Sequence, residues 1–268
     1  MDYRRDIDGL RAIAVLSVML FHAGVPGFSG GFAGVDVFFV ISGFLITGII
    51  SRELDNGRFS ILNFYERRVR RIVPVLLTVI AVSLVIFSPL LLPEDLRHFG
   101  QSVVATIGFG NNALLWKTAG YFDPSVEFKP LSHTWSLGVE EQYYLLIPLA
   151  MTAAWRWGGR KIVIGGIAIA TLASFAFALH EGRIDPLFNF YLITSRFWEL
   201  GAGSLAAFAA VRAQRLGRPA SNLLALAGLV AVLVSVLLPE TRKSFPPNAI
   251  TLIPVGGTCL VLLFSNAR

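Results

Sequence analysis

A histidine and an arginine share one face of the first apolar stretch of the chain. Arg11 and His22 stand eleven positions apart in DGLRAIAVLSVMLFHA, residues 8 to 23. In a helix this spacing is almost three whole turns, so both side chains lie on one stripe, about 16 Å apart. An ionisable residue inside a membrane helix indicates a functional site, and a histidine there suits the role of a base. The alternative is that His22 only caps the helix or faces lipid headgroups.

Asp36 and Ser42 are polar residues of the second apolar stretch, GVDVFFVISGFLITGII, which begins at Gly34. The turn before it is short and rich in glycine, so the outer end of this helix is expected beside His22. We therefore predict that Asp36 hydrogen-bonds to His22 and fixes the tautomer in which the ring acts as a base. An acid in the first turn of a helix is also favoured by the helix dipole, so a capping role fits Asp36 equally well.

Four arginines are packed into FYERRVRRIVP, residues 64 to 74, just before the third apolar stretch. One interpretation is an orientation anchor that contacts anionic lipid. The other is a phosphate site, since guanidinium groups bind phosphates bidentately and a coenzyme donor is rich in phosphates.

A second polar stripe runs through PLSHTWSLGVEEQYYLLIP, residues 130 to 148. His133, Glu140 and Tyr144 fall on one helical face, which predicts a polar line descending into the bilayer. Glu141 is rotated by about 100° from Glu140, so we expect the two glutamates not to face one site. Adjacent carboxylates within an apolar run are costly, which favours a functional role for them.

Arg196 and Glu199 lie in the sixth stretch at a spacing of three, which predicts an ion pair within the membrane. Gly201, Gly203 and Ala206 follow and predict a smooth face for close helix packing. The pair fits either a role in helix register or contact with substrate.

The composition identifies the class of protein. Hydrophobic residues make up 54% of the 268 and charged residues only 15%, which indicates a polytopic membrane protein. The net charge of +6 comes from basic residues between apolar runs rather than from a basic face, so nucleic acid is not an expected partner. With one cysteine, Cys259, neither an intrachain disulfide nor a Cys-rich metal site is expected, and we predict no metal.

We predict an all-α bundle of about eight membrane spans that forms a single domain over residues 1–268. Residues 100–116 are interrupted by glycines and asparagines and are predicted to be interfacial or re-entrant. The predicted spans are 8–23, 34–50, 73–92, 132–154, 162–179, 189–211, 222–238 and 249–264.

The basic residues concentrate in alternate loops, which predicts that both termini lie in the cytoplasm. In that topology His22, Asp36, Glu140 and Arg196 lie towards the outer leaflet, opposite the arginine cluster. Residues 93–131 then form a long external segment, suited to a lid or an acceptor-binding surface. A group passed from a donor inside to an acceptor outside has to cross the bundle.

Several of these segments resemble the acyltransferase-3 family of integral membrane O-acyltransferases, which acetylate O-antigen, peptidoglycan and other envelope glycans. The matching segments occur in the family's order over residues 6–208. They are Arg11 and His22 with ten residues between them, GVDVFFVISGFLIT, Arg68-x-x-Arg71 followed by Ile-x-Pro, HTWSLGVEEQYYL, and RFWELGAGSLAA.

The resemblance implies a role for each matching residue. It implies that His22 is the catalytic histidine, with Arg11 and Asp36 in the same site, and that Arg68 and Arg71 bind an acyl-CoA donor at the cytoplasmic face. The other signature block contains Trp135, Glu140 and Glu141. Ser42, His133, Tyr144, Arg196 and Glu199 are the further candidates for contact with substrate.

The expected function is transfer of an acyl group, acetyl above all, from cytoplasmic acyl-CoA to a hydroxyl of a cell-envelope glycan or lipid-linked saccharide, in a bacterial inner membrane. Family members usually have about ten spans and a late Tyr-Leu-Trp-His-like motif. We therefore expect this chain to lack the last one or two helices. The alternatives are a membrane transporter or flippase, since opposed polar half-membrane sites also suit alternating access, and a non-catalytic scaffold of the same fold.

Overall fold

The computed structural model describes residues 4–119, 129–213, 216–237 and 246–265, and across these ranges the chain is helical and has no β-strand. The all-α prediction is confirmed, and each of the eight predicted apolar stretches is helical over most of its described length. The helix of the third stretch ends at Phe87 rather than at 92, and the sixth stretch is interrupted at Leu192. The helices are α1 (Arg5–His22), α2 (Gly34–Asp55), α3 (Ile61–Phe87), α4 (Pro93–Ile107), α5 (Asn111–Thr118), α6 (Trp135–Glu181), α7 (Pro186–Tyr191), α8 (Ile193–Ala213), α9 (Arg218–Leu237) and α10 (Leu252–Phe264).

Helix α6 joins two of the predicted stretches and is broken between them. Gly158 and Gly159 leave helical geometry, and Gly159 has a φ of +64°, a conformation that glycine adopts without a Cβ clash. The break divides α6 into a first arm, residues 135–157, and a second arm, residues 160–181. The two arms correspond to the predicted fourth and fifth spans.

Membrane crossing is supported most directly for four segments. Among the described residues, four helical segments are both long and apolar enough to cross a bilayer, and 249–264 is a shorter apolar helical segment. The count of eight spans and the cytoplasmic placement of the termini therefore stay predictions. The four segments are Gly31–Asp55, Ile61–Phe87, Ser132–Glu181 and Arg218–Leu237.

The centre of the bundle is the close contact of α2 with α8. A Cβ added to Gly43 would lie 1.8 Å from the Leu200 carbonyl oxygen, and one added to Gly203 would lie 1.9 Å from that of Val40. No side chain fits at either position, so the two backbones meet directly. The predicted packing face on α8 is confirmed at Gly203.

The stretch around 100–116 consists of two short helices, α4 and α5, with a turn between them. Phe109 in this turn has a φ of +53°, and its carbonyl oxygen accepts a hydrogen bond from Gln142 Nε2 of α6 at 3.0 Å. Gln142 also donates to Asn112 Oδ1 at 2.9 Å, so the turn is fixed against the first arm of α6. Residues 100–116 are thus not one continuous helix, and their interfacial or re-entrant placement stays a prediction. The rest of the predicted external segment, residues 120–128, lies outside the described residues.

Candidate functional site

His22 is the last residue of α1, and its side chain is exposed. Its Nδ1 lies 2.8 Å from the Val18 carbonyl oxygen, one turn earlier in the same helix. A carbonyl oxygen only accepts hydrogen bonds, so Nδ1 is the protonated nitrogen and Nε2 of the neutral ring carries the free lone pair. Among the described residues no group hydrogen-bonds to Nε2. The ring is therefore held in the tautomer that a base or nucleophile needs.

The predicted pair between Asp36 and His22 is wrong. Asp36 is 2% exposed, and its Oδ1 accepts a hydrogen bond from Arg196 Nη1 at 2.9 Å. Asp36 lies on the face of α2 that packs against α8, where a guanidinium is available. The backbone of α1 itself takes over the orienting role that was assigned to Asp36.

Arg196 holds a fully buried charge cluster. Its Nη1 also donates to Glu199 Oε1 at 2.9 Å, which confirms the predicted pair at a spacing of three. Its guanidinium carbon lies 5.5 Å from the ring centroid of Trp135 and 4.9 Å from that of Phe190, whose carbonyl oxygen accepts from Arg196 Nε. The structure thus places Asp36, Trp135, Arg196 and Glu199 together in the core, where they connect α2, α6 and α8.

Glu140 is the centre of a second polar group. Tyr144 Oη donates to Glu140 Oε2 at 3.0 Å, and the Ser42 side chain lies within hydrogen-bonding reach of the same carboxylate. The positive charges of Arg11 and Arg68 both act on it. The Arg11 guanidinium lies 3.9 Å from Asp8 Oδ1 in the first turn of α1, about three turns before His22, and acts on Glu140 through its charge.

Arg68 of α3 interacts with both of the adjacent glutamates, Glu140 and Glu141, through its charge. Its guanidinium lies over the Tyr144 ring, 4.5 Å from the centroid, and interacts electrostatically with both Glu140 and Glu141. The two glutamates diverge on α6 as their spacing predicts, since Glu141 lines a cavity between α3 and α6 that Glu140 does not line. The charge of Arg68 nevertheless acts on both carboxylates.

Two cavities lie between α3 and the first arm of α6. The first, of about 290 Å³, we call the Glu141 cavity; the second, of about 310 Å³, we call the His133 cavity. They share Ile72. The Glu141 cavity is lined by Tyr65, Arg68, Val69, Ile72, Val73, Gly108, Phe109, Glu141, Gln142, Tyr144 and Leu145. The His133 cavity is lined by Arg71, Ile72, Val75, Leu76, Val79, His133, Thr134 and Leu137.

At the His133 cavity, residues of α3 lie near His22, the catalytic candidate on α1. Arg71 and His133 line it together, and the imidazoles of His133 and His22 are near enough for their charges to interact. Within the described ranges no carboxylate lies within 4 Å of the Arg71 guanidinium. By contrast, Arg67 pairs with Glu53 at 2.9 Å and Arg70 with Glu66 at 2.7 Å. Arg71 is thus an arginine of this cluster whose charge is open to an anion.

The sequence reasoning missed two polar groups. One is the amide pair Asn112 and Gln142, which fixes the α4–α5 turn. The other is a buried hydroxyl cluster, in which Ser204 Oγ lies 2.7 Å from Thr47 Oγ1 and 2.6 Å from Tyr143 Oη. Polar residues at isolated positions in apolar runs were the only available signal. No group of three or more potential metal ligands occurs in the part of the chain that the structure describes.

The fold and the site define an apolar helical bundle in which two largely apolar cavities carry a few charged side chains, and a histidine with an open ring nitrogen lies near one of them. The family model described as an acyltransferase domain, acyltransferase-3, matches residues 4–267, so the chain belongs to this family and is an acyltransferase. The resemblance stated from the motifs is confirmed. No solved structure matches the chain.

Three relatives show how far the similarity extends. The peptidoglycan O-acetyltransferase OatA of Listeria monocytogenes is 32% identical over 280 residues, which is 98% of this chain and 44% of the relative. The O-acetyltransferase OatA of Staphylococcus aureus is 40% identical over 152 residues, which is 56% of this chain and 25% of the relative. An uncharacterized protein of Haemophilus influenzae is 34% identical over 239 residues, which is 85% of this chain and 96% of the relative. The chain thus spans less than half the length of these OatA proteins.

Proposed function

We propose that the chain transfers an acetyl group from acyl-CoA to a hydroxyl of a cell-envelope glycan of the peptidoglycan type, in a bacterial inner membrane. The observation that carries this proposal is the His22 ring, whose Nδ1 is bound to the Val18 carbonyl while Nε2 is open. Family membership and the names of the OatA relatives support the reaction class and the acceptor.

In the proposed reaction His22 Nε2 takes the proton of the glycan hydroxyl. The hydroxyl oxygen attacks the thioester carbon, the carbon–sulfur bond breaks, and the thiolate leaves and takes up the proton. The Nδ1 hydrogen bond to Val18 keeps the ring oriented while it is charged. A ring in this state also serves as a nucleophile, and isolation of an acyl-imidazole on His22 would identify that route.

The arginines of α3 are proposed to hold the phosphates of the donor. Arg71 carries the clearer case, because among the described residues its charge has no carboxylate partner within 4 Å. Arg68 is held over Tyr144 beside the two glutamates, so its charge is partly balanced. With the N-terminus in the cytoplasm, these arginines face the donor's compartment, and the acyl group reaches His22 past the His133 cavity.

The test is acetyl transfer by the purified chain in lipid nanodiscs, with labelled acetyl-CoA and soluble peptidoglycan fragments. The wild type is expected to release free thiol and acetylate the glycan in equal amounts. His22→Asn retains an amide N–H that can reach Val18 but has no ring Nε2, so it should lose about 10²- to 10⁴-fold in rate and stay folded. His98→Asn, at a partly exposed histidine of α4, is the matched control and should transfer normally.

Full transfer by His22→Asn would overturn the role of His22. Movement of substrate across vesicles without thiol release would instead favour a carrier. Donor binding without turnover in the wild type would point to a scaffold.

A further inference from the structure

The carboxyl group of Glu141 makes no hydrogen bond to any residue that the structure describes. Its Oε1 is sealed from solvent and has no hydrogen-bond partner, and the side chain forms part of the wall of the Glu141 cavity. Arg68 and Glu140 act on it only through their charges. A buried acceptor without a donor is costly, so this position is suited to a ligand that brings an N–H or O–H group.

The walls of the Glu141 cavity restrict that ligand. Val69, Ile72, Val73 and Leu145 make most of the surface apolar, and about 290 Å³ is at the small end of ligand sites. A sugar ring would turn several hydroxyls towards these aliphatic groups and leave them unpaired. A lipid tail suits the walls but has no hydrogen to donate to Glu141.

An extended aliphatic chain with isolated amide groups meets both requirements. Its methylenes contact the aliphatic walls, and an amide N–H supplies the donor that the carboxylate lacks. Arg68 lines the same cavity, so a phosphate at the end of such a chain would find a guanidinium beside it.

We propose that the Glu141 cavity binds the phosphopantetheine arm of the acyl donor, with Glu141 accepting a hydrogen bond from one of its amide N–H groups. The proposal rests on the proposed function and identifies the part of the donor that the site recognises. Glu141 and His133 are eight positions apart, which is about 12 Å along a helix, so one arm can extend from the Glu141 cavity into the His133 cavity. The same arm occurs in coenzyme A and on acyl carrier proteins.

The test compares three donors that contain no nucleotide. They are S-acetylpantetheine and its two ester isosteres, in each of which one amide N–H is replaced by oxygen. The wild type should use one isostere about 10- to 100-fold less efficiently in kcat/KM, because the charged acceptor loses its donor. This comparison needs no variant and is unaffected by folding defects.

Variants then assign the effect to Glu141. Glu141→Met has similar length but no acceptor, so it should treat the amide and the ester alike. Glu141→Gln keeps a carbonyl oxygen and should restore part of the preference. Glu66→Met makes the same change at an exposed residue of α3 paired with Arg70, and should behave as wild type.

Equal use of all three donors by the wild type, or a full preference retained in Glu141→Met, would overturn the proposal while leaving acetyl transfer intact. If the wild type transfers nothing, the proposed function fails, and calorimetric binding of pantetheine against its isosteres still decides the site. Displacement of pantetheine by soluble glycan or by lipid would assign the cavity to those ligands instead. The source of the arm is identified by comparing acetyl-CoA with an acetylated carrier protein as donors at equal concentration. The donor with the higher rate of transfer is the source.

Discussion

Arg196 on α8 and Asp36 on α2 form a hydrogen-bonded ion pair at 2.9 Å, across 160 positions of the chain. Their side chains are 1% and 3% exposed, and Glu199 shares the same guanidinium nitrogen. Two carboxylates therefore depend on one cation inside the bundle. The contact lies about two helical turns from Gly43 and Gly203, where α2 and α8 approach so closely that no Cβ fits.

Arg196→Met should destabilise the protein strongly, by about 3–5 kcal/mol, because it leaves two buried carboxyl groups without their partner. The measurement is thermal unfolding of the protein in nanodiscs. Arg70→Met, which breaks the exposed pair with Glu66, is the control and should change the melting temperature little. Equal melting temperatures for the two variants would show that the cluster does not hold α2 to α8.

Gly203→Ala should lower the melting temperature, because the new methyl group would lie 1.9 Å from the Val40 carbonyl oxygen and force α8 away from α2. Gly165→Ala, in the second arm of α6, meets nothing within 4 Å and should raise it slightly, since alanine favours a helix by up to about 1 kcal/mol. Opposite signs for one substitution in two helices are the expected result. A rise for both variants would contradict the close contact.

Arg71→Met should raise the KM for acetyl-CoA by about 10- to 100-fold, because a phosphate loses a charge-assisted hydrogen bond. The KM for S-acetylpantetheine, which has no phosphate, should not change. Arg70→Met is the neighbouring control, because its guanidinium is already paired with Glu66. Steady-state kinetics with both donors measure the effect. An equal KM increase for both donors would argue against a phosphate contact.

Asp185 gives the protein a pH-dependent contribution to stability outside the membrane-spanning segments. The Phe188 backbone N–H and Trp116 Nε1 donate to its carboxylate at 2.9 and 3.0 Å, and these bonds hold the pKa of Asp185 below its usual value. A lowered pKa in the folded state stabilises the protein above the unfolded value of about 3.9, and this contribution is lost as the pH falls through the folded value.

Asp185→Asn should therefore melt below the wild type at pH 7, and the difference should shrink below about pH 4. Trp116 fluorescence follows the same contact directly. A melting difference that does not change with pH would contradict the assignment.

Local patterns predicted the helices well. Apolar run lengths located the eight stretches, and a spacing of three predicted the Arg196–Glu199 pair. Each of these depends on residues within a few turns of one helix, where geometry follows from 3.6 residues per turn. The site was predicted less well. The sequence did not predict that Asp36 lies on the face of α2 that packs against α8. It also did not predict that the charge of Arg68 acts on both glutamates.

The sequence by itself determined that this is an all-helical membrane acyltransferase, because its apolar periodicity and its family motifs are local properties of the chain. Only the tertiary structure decided which polar residues meet. Asp36 joins Arg196 rather than His22, Arg68 lies over the Tyr144 ring, and a backbone carbonyl fixes the His22 ring. The physical reason is that a helix fixes the direction of each side chain relative to its own axis, whereas rotation about that axis is set by packing against neighbouring helices.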